Sequence, residues 1–167
     1  WVVYMLLLAY SGLAPWSGWR DLGLQPFAYL AAPIPRHITT FDLVVNVLAY
    51  MPFGALLVLA LHPRVKGFAA VLIALLGGVL LAGAIEALQS YLPARVSSNV
   101  DLVTNVAGAL LGGMLAAPLA SGLIDRGRLA DWRLRWFDRH SSTLLLLIVL
   151  WPVAQIYPEP MLFGNGE

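Results

Sequence analysis

The chain has 167 residues, of which 60% are hydrophobic and only 11% are charged, and its mean hydropathy is +0.79. These values lie outside those of ordinary water-soluble domains, so we expect an integral membrane protein. The formal net charge of +1 argues against nucleic acid as a partner, and the absence of cysteine excludes disulfides, thiolate catalysis and zinc–thiolate sites.

Continuous apolar segments predict the membrane-spanning helices, because a helix needs roughly 20 apolar residues to cross a bilayer. Residues 43–61, 68–92 and 102–120 have this length, residues 143–157 form a shorter span, and residues 1–13 resemble the end of another. The chain begins with Trp1 rather than methionine, so we expect further residues before it. The prediction is an all-α, polytopic transmembrane helix bundle of about five spans, forming a single domain over residues 1–167.

The distribution of positive charge predicts which side of the membrane each loop faces. Seven of the ten Lys and Arg residues lie in the loop 62–67 and the segment 121–142, so the positive-inside rule places both in the cytoplasm. The segment 121–142 mixes Arg with Trp and Phe, a pattern typical of an amphipathic helix on anionic headgroups. With alternating spans, the segments 14–42 and 92–101 face outward.

A six-residue motif occurs at the start of two predicted spans. Asp-Leu-Val-Val-Asn-Val at 42–47 matches Asp-Leu-Val-Thr-Asn-Val at 101–106, and Gln-x-Tyr at 89–91 matches Gln-x-Tyr at 155–157. The pattern predicts a parallel internal repeat of two hairpins, as in some transporters. In each motif the asparagine follows the aspartate by four residues, on the same helix face and about 6 Å deeper.

Polar residues converge on the outer ends of these spans. Glu86 lies about five residues before the outer end of its span, at a depth similar to that of the two asparagines. Gln89 shares its helix face, and three basic side chains lie in the outer loops directly above. The catalytic candidates are Glu86, Asp101 and Asp42, and the substrate-binding candidates are Arg36, His37, Asn46, Gln89, Arg95 and Asn105.

Most of these residue types also have a structural interpretation. The aspartates suit helix N-caps, where free N–H groups and the helix dipole favour negative charge, and the asparagines suit interhelical hydrogen bonds. For Glu86 a functional role is favoured, because a charged side chain within a span costs about 3 kcal/mol on insertion scales. Gly108 and Gly112 form a small-xxx-small face, which predicts close helix packing or a homo-oligomer interface.

The ordered polar residues resemble those of the VanZ-like family. The matching pattern is Arg36, Asp42-x-x-x-Asn46 with Pro52-Phe53-Gly54, Glu86-x-x-Gln89, and Arg95 with Asp101-x-x-x-Asn105-x-x-Gly108-x-x-x-Gly112, covering about 36–115. The family is named for a membrane protein linked to resistance against the glycopeptide teicoplanin. The resemblance implies a multi-pass protein of the bacterial inner membrane with a role in the cell envelope, and it implies no reaction.

Several functions fit the predicted site. An enzyme would act on a phospholipid or a polyprenyl-linked cell-wall intermediate, with Arg36 and Arg95 holding phosphate and Glu86 acting as general acid or base. Its carboxylates (Asp42, Glu86 and Asp101) would alternatively hold Mg²⁺ or Ca²⁺. A binding protein would recognise an envelope lipid or the glycopeptide without turnover, a structural subunit would use the polar residues to lock the bundle, and a small transporter would use the repeat. We favour lipid-linked envelope chemistry or recognition in the outer leaflet.

Overall fold

The computed structural model describes residues 1–34 and 39–125, together with Gly127 and Asp131. The chain divides into two compact units, Trp1–Arg126 and Gly127–Glu167, and the helices described below belong to the first. The predicted span 143–157 lies outside the described residues, as does most of the predicted amphipathic segment 121–142. These two segments, and the single domain over the whole chain, stay predictions.

The first unit is built from helices. Helix α1 covers Val2–Gly12, a one-turn 3-10 helix covers Ala28–Ala31, and the long helices are α2 (Thr40–Leu61), α3 (Gly67–Gln89) and α4 (Asn99–Ala120), which continues into a π-helical turn, Ser121–Asp125. The described residues contain no strand. Helices α2, α3 and α4 are long and apolar enough to cross a membrane. The prediction of an all-α membrane helix bundle is confirmed.

Many interior positions of the bundle carry alanine or glycine, and many large apolar side chains lie on its outer faces. Ala74, Ala82 and Ala109 are fully buried, whereas Leu80 is 73% exposed and Val103 is 65% exposed. Lipid chains are as apolar as leucine, so helices in a bilayer associate through close packing of small residues and leave large side chains facing lipid. This distribution agrees with the composition in indicating a membrane protein.

Helices α2 and α4 run parallel with their backbones in direct contact. A Cβ atom added to Gly108 would collide with the carbonyl oxygen of Val47, and one added to Gly112 would collide with that of Met51. The close packing predicted for the Gly108/Gly112 face is confirmed, and it occurs within the chain. Because α2 covers this face, the face is not available to a second copy of the protein.

The three long helices meet in layers that are spaced by four residues. On α4, Ala109 faces Gly54 of α2 and Gly78 of α3, and four residues later Gly113 faces Val58 and Ala74. The hydrogen bond between Asn46 and Asp101 follows the same spacing at the other end of α4. Continuing this spacing gives the layers Asn46–Glu86–Asp101, Tyr50–Ala82–Asn105, Gly54–Gly78–Ala109 and Val58–Ala74–Gly113. The polar residues thus occupy the two layers at the end where α2 and α4 begin and α3 ends, which we call the polar end.

Hydroxyl side chains cap the two helices that begin at the polar end. Thr39 accepts a hydrogen bond from the backbone N–H of Asp42 (3.1 Å), and Ser98 accepts one from the N–H of Asp101 (3.3 Å). Each aspartate is therefore the third residue of its helix, and the N-cap interpretation of the aspartates is wrong. The spacing Thr/Ser-x-x-Asp is that of a capping box, and it extends the repeated motif by three residues.

Candidate functional site

Glu86 lies in the last turn of α3 and is only 2% exposed. The backbone N–H of Ser98 donates a hydrogen bond to its Oε2 (2.7 Å), and the Ser97 hydroxyl donates one to its backbone carbonyl (2.7 Å). The loop between α3 and α4 therefore folds back over Glu86. Within the described residues, the carboxylate forms no salt bridge and accepts no other hydrogen bond.

Asn46 joins α2 to α4. Its Nδ2 donates hydrogen bonds to Oδ1 of Asp101 (3.0 Å) and to the hydroxyl of Thr104 (3.3 Å). The Thr104 hydroxyl lies within hydrogen-bond distance of the backbone carbonyls of Val100 (3.0 Å) and Asp101 (3.1 Å), so it is fixed against its own helix. The interhelical hydrogen bond considered for asparagine is thus present at Asn46, and Asp101 is the group that it holds.

Asn105 lies one turn deeper than Asp101 on the same face of α4. Its side chain is 7% exposed, and its Oδ1 is buried with no hydrogen-bond partner in the described part of the chain. The layer spacing places Tyr50 opposite it. An unpaired buried acceptor costs about 1–3 kcal/mol, so Asn105 lacks the structural explanation that accounts for Asn46. We refer to Asn46, Glu86, Asp101 and Asn105 as the polar cluster.

The two copies of the repeated motif have different environments. Asp42 is exposed, and its Oδ2 accepts a hydrogen bond from the hydroxyl of the capping residue Thr39 (2.6 Å). Asp101 is partly buried and accepts a hydrogen bond from α2. The difference is that Asp101 lies beside Asn46 of α2, whereas the hydrogen bonds of Asp42 in the described part of the chain are made with Thr39 of its own helix start. Asp42 therefore lies outside the polar cluster.

Two predicted substrate-binding residues hold the end of α1. Arg95 donates from Nε to the carbonyl of Ala14 (2.8 Å) and from Nη2 to that of Ser11 (3.3 Å). Gln89 donates from Nε2 to the carbonyl of Gly12 (2.8 Å). Carbonyl groups at a helix C-terminus lack partners within the helix and carry partial negative charge, which a guanidinium satisfies well. Arg95 and Gln89 are thus engaged in anchoring α1 to the polar end.

Tyr29 attaches the loop before α2 to the same end of the bundle. Its side chain is 6% exposed, and its hydroxyl donates a hydrogen bond to the carbonyl of Gly83 (3.3 Å). Burial, and then the negative charge of Glu86, raise the pKa of Tyr29 above its ordinary value of 10.0. Tyr29 was not predicted as a site residue, because an aromatic residue in a proline-rich loop carries no distinguishing signal. Tyr50 does carry a signal in the sequence, because it follows Asn46 by four residues and so lies on the same helix face.

The family model VanZ/LLP1 matches residues 1–121. The chain belongs to the VanZ/LLP1 family. The match includes α1 to α4 and every member of the polar cluster, and it confirms the resemblance found in the sequence. No curated protein and no solved structure matches the chain.

Electrostatic interactions connect the charged groups of this VanZ/LLP1 protein. The charges of Asp101 and Arg95 act on Glu86, and the charge of Asp42 acts on Asp101.

The described residues contain no group of three His, Asp or Glu side chains placed to hold a metal ion. The suggested Mg²⁺ or Ca²⁺ site is therefore not assembled in this part of the chain. Arg36 and His37, predicted to bind substrate, lie outside the described residues.

Two cavities of the VanZ/LLP1 protein lie away from the polar cluster. One, of about 410 Å³, is apolar and lies along α1 beside Trp16. The other, of about 230 Å³, lies at the opposite end of the bundle and is lined in part by His62 and Lys66. Neither is lined by a carboxylate or an amide side chain, so the polar cluster remains the candidate site.

Proposed function

We propose that this VanZ/LLP1 membrane protein binds a lipid or a lipid-linked cell-wall intermediate of the bacterial envelope at its polar cluster. The observation that carries the proposal is Glu86, a buried carboxylate without an ion pair in the described part of the chain. A purely structural bundle gains little from such a group, because removing a carboxylate from water is expensive. The adjacent unpaired oxygen of Asn105 is a second group that a bound molecule would satisfy.

The depth of the polar cluster suits a lipid headgroup. Glu86 lies three residues before the end of α3 at Gln89, which corresponds to about 5 Å along the helix axis. A headgroup bound there would sit at the boundary between the polar and hydrocarbon regions of one leaflet. The basic residues of the loop 62–67 and the segment 121–142 support a cytoplasmic position for those parts, which turns the polar end outward in the bacterial inner membrane.

The proposal includes a chemical role for Glu86 if the bound molecule is turned over. Glu86 would then act as general acid or base, because one oxygen of its carboxylate accepts no hydrogen bond within the described residues. Asp101 is held by Asn46 and would orient the substrate or stabilise charge. The link of the family name to teicoplanin resistance supports an envelope substrate, and it predicts that expression of the protein changes teicoplanin susceptibility through Glu86.

A second candidate is a structural subunit whose polar residues only lock the bundle. It is favoured by the contacts of Arg95, Gln89 and Asn46, which all bind groups of the same chain. It leaves Glu86 and Asn105 unexplained. The two candidates differ in whether replacing Glu86 changes a bound molecule or only the stability of the protein.

Native mass spectrometry of the gently extracted full chain separates the candidates. The variant Glu86→Gln is compared with the wild type and with Asp21→Asn, which makes an equivalent change in an exposed loop. We expect a lipid to accompany the wild type and Asp21→Asn. In Glu86→Gln, its loss would indicate recognition and its accumulation would indicate stalled turnover. Equal lipid content in all three samples, with Glu86→Gln merely less stable, would support the structural candidate.

A further inference from the structure

In the described part of the chain, the polar cluster has more unpaired hydrogen-bond acceptors than unpaired donors. Among the described residues, Oε1 of Glu86, Oδ2 of Asp101 and Oδ1 of Asn105 receive no hydrogen bond, and neither does Oδ1 of Asn46; the unpaired donor of the cluster is Nδ2 of Asn105. The amide donor of Asn46 is already shared between Asp101 and Thr104. A molecule that completes this cluster must therefore bring donors of its own.

Among the described residues, charge is unbalanced in the same direction. Glu86 and Asp101 belong to the cluster, and Asp42 adds a third carboxylate within electrostatic range of Asp101. Arg95 is the described cation that acts on Glu86, and its guanidinium donates to the carbonyls at the end of α1. A phosphate group offers only acceptors and negative charge, so these residues would repel it. A cationic group with several N–H donors has the opposite properties.

The layers of the bundle bring the free acceptors together. Glu86 lies opposite Asp101, and Asn105 follows Asp101 by one turn on the face that packs against α2 and α3. Asn105 is more than nine-tenths buried, so its oxygen is directed into the bundle rather than to lipid. Tyr50, which is 5% exposed, lies opposite Asn105 in the same layer.

We propose that the polar cluster binds a primary ammonium group, which donates its N–H bonds to Glu86, Asp101 and Asn105. An ammonium group has three donors and no acceptor, so it can donate to one free oxygen on each of these three residues. A quaternary ammonium group has the same charge and no N–H, so it would leave these oxygens unpaired. This inference rests on the proposed function and identifies the part of the bound molecule that the cluster recognises. The amine belongs either to a lipid headgroup or to a soluble molecule.

Titration of the purified full chain with defined lipids tests the inference. Lipids with identical short acyl chains and ethanolamine, choline or glycerol headgroups are compared by native mass spectrometry. We expect the ethanolamine lipid to bind the wild type about tenfold more tightly than the other two, as for one lost hydrogen bond to a charged group. In Glu86→Gln and Asn105→Leu this preference should disappear, whereas Asp21→Asn should keep it.

Free ethanolamine distinguishes the two sources of the amine. Competition by free ethanolamine would show that the amine alone is sufficient for binding. Binding of the ethanolamine lipid without such competition would show that the acyl chains are also required. Both results support the inference. Equal binding of the choline lipid, or tighter binding of the glycerol lipid that still depends on Glu86, would overturn it and leave the proposed function intact. Absence of any Glu86-dependent lipid binding would refute both. The headgroup comparison in the wild type needs no variant, so a folding defect cannot obscure it.

Discussion

The contact between α2 and α4 leaves no space for a side chain at Gly112. A Cβ atom there would collide with the backbone carbonyl of Met51, and a helical carbonyl cannot rotate out of the way. Gly112→Ala must therefore separate the two helices. Overpacking costs about 1–3 kcal/mol, and the upper value applies because the collision involves backbone. Alanine recovers about 1 kcal/mol through its higher helix propensity, so the free energy of unfolding should fall by about 2 kcal/mol.

Gly83→Ala provides the matched control for this prediction. The substitution is the same and also lies within a long helix, but the added Cβ would meet the Tyr29 hydroxyl at 3.7 Å, an ordinary van der Waals distance. Thermal unfolding of both variants in one detergent, followed by circular dichroism, measures the difference. We expect a lower midpoint for Gly112→Ala and an unchanged or higher midpoint for Gly83→Ala. A Gly112→Ala protein as stable as the wild type would refute the backbone contact between α2 and α4.

Three further predictions concern the polar end. Asn46→Leu removes the side-chain donor to Asp101 and should lower the free energy of unfolding by about 1–3 kcal/mol; an unchanged unfolding midpoint would show that this hydrogen bond contributes nothing. The folded state raises the pKa of Tyr29, so the contribution of this residue to the free energy of unfolding is fully present below pH 10 and is lost as the pH rises through the raised pKa. The free energy of unfolding of Tyr29→Phe should therefore fall less between pH 8 and 11 than that of the wild type. Arg95→Met should speed hydrogen exchange at the end of α1 and leave the middle of α4 unchanged, and equal exchange in both proteins would contradict the anchoring contact.

The sequence determines the helices of this fold clearly and their ends less well. The spans predicted at 43–61 and 102–120 fall within α2 and α4, because long apolar runs have few alternatives in a membrane. The span predicted at 68–92 is too long, since α3 ends at Gln89 and the chain turns at Ser90 and Tyr91. Hydropathy does not predict the C-terminal end of α3, because the turn residues are followed by the apolar Leu92.

The site was predictable in its location and less so in its individual roles. Counting residues along the helices predicts a similar depth for Glu86 and the two asparagines, and the structure brings all three to the polar end. Glu86 and Asn46 share one layer there, whereas Asn105 lies one turn deeper, because Asn46 of α2 is level with Asp101 of α4. Whether the first turn of a helix faces a side chain of a neighbouring helix is a property of packing, so the sequence could not distinguish exposed Asp42 from partly buried Asp101. The attachment of Arg95 to the end of α1 depends on the path of a loop, which no periodicity records.

Photo-crosslinking with a lipid that carries a reactive group in its headgroup tests the central claim most directly, because it locates the lipid on the full chain. We predict labelled peptides from the first turns of α2 and α4 and the last turn of α3, with the label lost in Glu86→Gln and retained in Asp21→Asn. Labels confined to outward-facing side chains such as Leu80 and Val103, with the same yield in Glu86→Gln, would contradict a lipid site at the polar cluster.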